Sequence, residues 1–432
     1  MLRDLVNGDG ATRAARCIVV IGGAMLLTLT STWACSEASP SDWSADTTGG
    51  GPGSRPPEAT TTPTPPPEPP EPPRPPPSNV PMEKLAPGEQ APQFVLFSID
   101  GGGWHERWHQ FMDAAEPHGA RFTTFLTGIY LLSDENRGLY TGPGHSPGRA
   151  SVGFGGTRDD VQTLVDDLNK AWLDGHEIGT HYNGHFCDGN DPSGNDWDAA
   201  AWDSEIAQFN SFWQNWAANN QIAAPRPLLP PIDEVKGGRT PCLEGRWDQL
   251  ASSWAKAGYR YDTSMPGHGM AWPRVEANVW EFRVPLVDAP SMGRVIAMDY
   301  NFWFKMNGAV DEPGRAPEFR QRVLDTYRHM YGVTSNGNRA PLVIGNHFNE
   351  WSGNAFNPAV LDFMGEVCGK PDTYCATHSD VVAWMELQDP AVLAELQARP
   401  PVAGTAALSQ AFLGEGRAMS AAPPAAPTSG RW

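Results

Sequence analysis

Basic residues are scarce in this chain: 31 Lys and Arg stand against 50 Asp and Glu, a net charge of −19 over 432 residues. A nucleic-acid binder needs a basic face to neutralise phosphates, so the balance argues against that class. Cysteine is also sparse, and no C-x-x-C occurs among the 6 present, which leaves little support for a four-cysteine zinc site. The apolar run "CIVVIGGAMLLTL" falls short of the ~20 residues that a membrane-spanning helix needs. No internal repeat is visible, which sets aside solenoids and propellers.

The composition divides the chain. Residues 1–34 carry Arg3, Arg13 and Arg16, then the apolar run, then small and polar residues, in the order of a secretory signal. The "TWAC" at its end resembles a bacterial lipoprotein cleavage site, which implies Cys35 as the lipid-bearing residue and a membrane tether. Thr32 stands where that pattern usually has Leu. Residues 35–90 are dominated by Pro, Thr, Ser and Glu and cannot bury enough apolar surface to offset their ordering entropy, so a disordered, extended linker is expected. An Ala/Pro-rich tail, 399–432, is expected to be disordered as well. Residues 91–398 remain as one domain of an exported protein, extracellular or in the cell envelope. Four cysteines lie beyond the leader. Cys368 and Cys375 bracket a short Gly/Pro-containing loop, which leaves Cys187 to pair with Cys242.

Within the domain, apolar runs alternate with helical patterns. "QFVLFSID", "RFTTFLTG", "HEIGTH", "YRYDTS" and "APLVIGNHF" read as strands. "RWHQFMDAAEPHGA", "TRDDVQTLVDDLNKAWLDG", "RWDQLASSWAKAG", "APEFRQRVLDTYRHMYG" and "SDVVAWMELQ" read as helices, the second with Val161, Leu164, Val165, Leu168 and Trp172 at helical spacing. Repeated strand–helix–strand units predict an α/β fold of parallel strands with crossover helices. Asp100, His181 and His347 all fall at carboxyl ends of apolar strands, the catalytic face of a parallel barrel. His181 and His185, four residues apart, can meet one metal if the turn is helical, and Asp100 would complete a set with open positions.

These stretches resemble the polysaccharide deacetylases of carbohydrate esterase family four. "FSIDGG" is similar to the family's first motif, "ARFTTFLTG" to the strand after it, and "GHEIGTHYNGH" to its metal-binding second motif. "GGRTPCLEGRWDQLASSWAKAGYRYDTSMP" resembles the third, and "LVIGNHF" stands where the last motif belongs. The resemblance implies an irregular (β/α) barrel and a divalent metal, zinc by precedent, held by Asp100, His181 and His185. It implies Asp100 as general base, Arg239 orienting a carboxylate, and His347 as general acid. Asp299, in "MDYNFW", is a candidate to pair with His347. The implied substrate is an acetylated glycan such as peptidoglycan or chitin, with Trp104 and Trp303 as candidates to face its sugars. The chain departs from the family at the first motif, where Gly101 follows Asp100 and only one of two acids is present. A catalytically silent glycan binder on the same fold is therefore the alternative.

A further motif competes. "HERWH" matches H-E-x-x-H, in which two histidines bind zinc and the glutamate, here Glu106, acts as base of a metalloprotease. The extended signature wants Gly three residues after His109 and a third His six after it, and the chain has Met112 and Ala115. His105 and His109 are thus read as rim residues rather than a zinc centre.

Overall fold

In a computed structural model, residues 73–403 are described. The leader, Cys35, most of the linker and most of the tail lie outside them. Strand β1 (Gln93–Gly101) is a run of apolar and small residues buried almost throughout. It is followed by α1 (His105–Ala115), β2 (Phe122–Leu126), α2 (Arg158–Leu173) and β3 (Glu177–Thr180). Then come α3 (Ala199–Asn219), β4 (Gly237–Gly238), α4 (Trp247–Ala257) and β5 (Tyr261–Asp262). An insertion of short strands follows: β6 (Pro266–His268), β7 (Arg274–Glu276), β8 (Val279–Glu281), β9 (Val284–Ala289) and β10 (Gly293–Ile296). The chain closes with α5 (Asp299–Asn307), α6 (Ala316–Ser335), β11 (Leu342–His347), a short α7 (Trp351–Asn354), α8 (Phe356–Val367), β12 (Thr373–Cys375), α9 (His378–Leu387) and α10 (Pro390–Ala398).

The main sheet runs β11-β1-β2-β3-β4-β5-β8-β7, with β12 also on β1. Every pairing in it is parallel except that of β7 with β8. The curled sheet forms a half-barrel of mostly parallel strands, an α/β fold. A second sheet, β10-β9-β6, lies beyond one edge, and Met298 bridges to Gly345 of β11. Apolar helix faces cover the sheet. On α2 the stripe is Val161, Leu164, Val165 and Leu168, and the helix starts with a reciprocal capping box between Thr157 and Asp160. Two disulfides are present, Cys187–Cys242 and Cys368–Cys375, with Cα atoms 6.1 and 5.5 Å apart. No helix among the described residues is long and apolar enough to cross a membrane.

Segments flanking the expected domain, 91–398, make contacts with it. The expected linker through residue 90 packs on the domain over its last stretch. Val80 is buried, and Asn79 donates from Nδ2 to the carbonyls of Gly119 and Cys375 at 2.9 and 2.8 Å. The Leu85 amide donates to Gln388 Oε1 at 2.9 Å. Past residue 399, the expected tail begins with Val402 exchanging backbone hydrogen bonds with Met270 at 2.8 and 3.0 Å. These segments are held by main-chain and amide hydrogen bonds rather than by an apolar stripe, so proline-rich composition hides them.

Candidate active site

Parallel register brings the functional side chains together. Asp100 at the end of β1 is paired with His347 at the end of β11. Thr180, just before His181, is paired with Gly238, just before Arg239. The loop after β3 is not helical: Tyr182 and His185 have φ of 55° and 54°, in the left-handed region. The turn still sets the His181 and His185 rings 5.3 Å apart. Asn183, between them, anchors the loop by donating from Nδ2 to the carbonyl and side chain of Glu205 on α3, at 2.7 and 2.8 Å. Gly128 allows this approach, since a Cβ there would lie 2.3 Å from Asn183 Oδ1.

Asp100 is buried and accepts from Arg239 Nη1 at 2.8 Å. The Arg239 side chain is fully enclosed: Nε donates to the Thr263 carbonyl at 3.0 Å and Nη2 to Thr263 Oγ1 at 3.1 Å. Burial pushes the Asp100 pKa up, but Arg239, then His181 and His347, outweigh it and hold the carboxyl below its usual range. Asp100 is therefore ionised at neutral pH.

His181 receives its orientation from Arg239 as well. Its Nδ1 donates to the Arg239 carbonyl at 2.8 Å, and its Nε2 is buried without a hydrogen-bond partner. Burial lowers the pKa of His181 to about 4 and that of His185 to about 3, so both rings are neutral at pH 7. A neutral imidazole fixed through Nδ1–H with a free Nε2 is the form that binds a metal. Asp100, by contrast, does not join His181 and His185 in a close set of three donors. Among the described residues, two such sets have all donor atoms within 4.8 Å of one another: His185 with Cys187 and Cys242, and His105 and His109 with Asp167. The first contains the disulfide sulfurs, which are not thiolates.

His347 meets the acid assigned to it. Its Nδ1 lies 2.7 Å from Asp299 Oδ1, and its main-chain N–H donates to Asp299 Oδ2 at 2.7 Å. Burial lowers its pKa, Asp299 raises it, and the net shift is upward. Asp299 is fully buried, whereas the His347 side chain keeps 20% exposure. Trp351 packs 5.3 Å from the His347 ring. Trp303 is buried behind it, stacked at 5.1 Å, with its Nε1 donating to Val310. The ring next to His347 is thus Trp351, and Trp303, a candidate to face sugars, lies against Trp351. Trp104 is half-buried at the start of α1, under the Arg107 guanidinium at 5.8 Å.

Gly101, where the family's second acid would stand, has φ of +94°, and a Cβ there would lie 3.8 Å from the Tyr130 hydroxyl. An L-residue at that φ is strained, so the backbone itself is built for glycine. Two groups missed in the sequence also lie near. Asp262 and Glu281, register partners at the ends of β5 and β8, are buried carboxyls. Burial raises both pKa values, that of Asp262 to about 6. Their only sequence signal was an acid after a short apolar strand.

No family model and no curated protein matches the chain. Solved structures do. A protein described as a polysaccharide deacetylase from Mycobacterium smegmatis aligns at 14% identity over 75% of this chain and 98% of its own, with a TM-score of 0.44. A family 4 carbohydrate esterase from Streptomyces lividans aligns at 13% identity over 67% and 93%, with a TM-score of 0.32. A CE4 family pseudoenzyme from Bacillus anthracis aligns at 10% identity over 67% and 66%, with a TM-score of 0.34.

Proposed function

We propose that this chain hydrolyses acetyl groups from a glycan, the N-acetylglucosamine units of a peptidoglycan- or chitin-like polymer outside the cell. The observation that carries the reading is the meeting, at the carboxyl ends of β1, β3, β4 and β11, of an ionised Asp100, a histidine pair with an unpartnered Nε2, and a His347 held by Asp299. An acid, a base and a pair of imidazole nitrogens at one set of strand ends fit acyl hydrolysis.

His181 and His185 fit a divalent ion through neutral imidazole nitrogens, and zinc suits such donors. Bound there, the ion would supply Lewis-acid polarisation of the acetyl carbonyl and acidify a water. The chain's own residues do the rest. Asp100 accepts the proton of the attacking water. Arg239 fixes the Asp100 carboxylate, keeping it charged at the expense of some basicity. His347 donates a proton to the departing amine, and Asp299 keeps that proton in place up to higher pH. Trp351 offers a flat ring beside the acid for a sugar face.

The ion pair with Arg239 favours Asp100 as base alone rather than as base and ligand. Asp100→Asn should then keep bound zinc while acetate release from an N-acetylglucosamine oligomer falls ~10²–10⁴-fold. Zinc loss together with rate would make Asp100 a ligand, and unchanged release would refute the site. The second reading is a silent glycan binder, favoured by Gly101 in its glycine-only conformation. It predicts oligosaccharide binding with no acetate from the unaltered protein.

A further inference from the structure

The H-E-x-x-H stretch is not used by the pocket above, yet the fold gives it a third donor. His105 opens α1 and His109 follows one helical turn later, so both imidazoles project from one face, with ring centroids 4.7 Å apart. That face meets α2 at Asp167. His105 Nδ1 lies 2.9 Å from both Asp167 oxygens, and His109 Nε2 lies 3.3 Å from Oδ1. Asp167 stands on the apolar stripe of α2 between Leu164 and Leu168 and is 2% exposed, while the two histidine side chains are 48% and 42% exposed. Its side-chain partners among the described residues are these two imidazoles, with no Lys or Arg. An acid buried in an apolar helix face is costly unless something cationic answers it.

We infer that His105, His109 and Asp167 form a second divalent transition-metal site, of the zinc class, clipping α1 to α2. The donor set is two imidazoles and a carboxylate. Zinc bonds of ~2.0–2.1 Å place tetrahedral donors ~3.3 Å from one another. The spacings of 2.9 to 3.3 Å around Asp167 therefore need only side-chain adjustment. The ion would replace the shared N–H protons, cancel the buried carboxylate charge, and leave its outward position open to solvent between the exposed rings. The carboxylate comes from another helix, so the site needs neither Gly at 112 nor His at 115, the positions at which the extended protease signature fails. This inference stands apart from the acetyl hydrolysis proposed above.

The test is zinc stoichiometry on the full-length protein, stripped with chelator, reloaded, and counted by mass spectrometry, with Kd from titration. His105→Gln/His109→Gln alters side chains that are about half exposed. It should lose one zinc equivalent relative to the unaltered chain. Loss of one outer partner weakens a metal ~10–100-fold, so removing two ligands should weaken this equivalent by ~10²-fold or more. His181→Ala/His185→Ala should keep that equivalent, and Co²⁺ loaded into it should give a visible spectrum that the glutamine variant lacks. Equal stoichiometry and equal Kd in the glutamine variant and the unaltered chain would overturn the inference. Loss of zinc in the glutamine variant alone, with none lost in the alanine variant, would support the α1–α2 site while removing the metal from the proposed active site.

Discussion

His347 shows how one contact sets a residue's chemistry. Burial by itself would keep this imidazole neutral, and Asp299, at 2.7 Å, reverses that. A group whose folded pKa is raised holds its proton to higher pH, so the acid form persists further into the alkaline range. Asp299→Asn keeps the shape and one acceptor but removes the charge. The basic limb of the pH–rate profile should therefore move to lower pH, with the larger loss of rate above neutrality and a smaller one near pH 5.5. A profile whose basic limb stays in place would mean that His347 is not the acid. At the same scale, the φ of Gly101 explains why the first motif ends in glycine: the chain turns there through a conformation that a second aspartate would adopt only under strain.

Helix α3 was invisible to the strand–helix alternation and yet holds the histidine loop. Its Glu205 is fully buried, accepting from Tyr140 at 2.6 Å and from Asn183 at 2.8 Å. Burial raises its pKa to about 7, against hydrogen bonds that lower it. The folded form thus keeps a proton that the unfolded chain, with a pKa near 4.5, releases earlier. The stabilisation is complete below that unfolded value and is lost as pH rises to about 7. The loss is on the order of 3 kcal/mol at ~1.4 kcal/mol per pKa unit. Urea melts between pH 4.5 and 8 should show a downward contribution to the stability–pH slope that Glu205→Gln lacks, set against the upward one of the buried neutral His181 and His185. An identical slope in the variant would exclude Glu205 as its source. Helix α2 shows a signal that could have been read earlier: Asp167 occupies a position in the apolar stripe, and a charge there calls for a partner from another element.

For the whole molecule, the Cys187–Cys242 disulfide joins the loop after β3 to the turn after β4, across 55 residues. Both ends lie close to the pocket, two residues from His185 and three from Arg239. In the chain-entropy model, such a link is worth about 4 kcal/mol. Cys187→Ser/Cys242→Ser should lose about that much stability in denaturant titrations, and zinc bound at His181 and His185 should weaken, because the left-handed turn at His185 loses its tether. Stability lost with zinc affinity unchanged would show that the disulfide acts on the unfolded chain alone.

The strands could be read from the sequence because burial on both faces leaves continuous apolar runs, a local pattern. The β1, β2, β3 and β11 stretches were legible this way, and so were the strand ends bearing Asp100, His181 and His347. Asp299 was legible only as an acid that could pair with His347, and the contact at 2.7 Å is a matter of the fold. Distance along the chain hid the rest. Arg239 reaches Asp100 across 139 positions, and Asp167 reaches His105 across 62. The contacts of Asn79 with Cys375 span 296. Local periodicity carries no information about which residues meet over such spans. The sequence by itself therefore determined the strand-and-helix alternation and the residues at the strand ends. Only the tertiary structure decided that Asp100 answers Arg239, that the H-E-x-x-H helix meets a buried acid, and where the domain ends, because parallel register and helix packing set those partners.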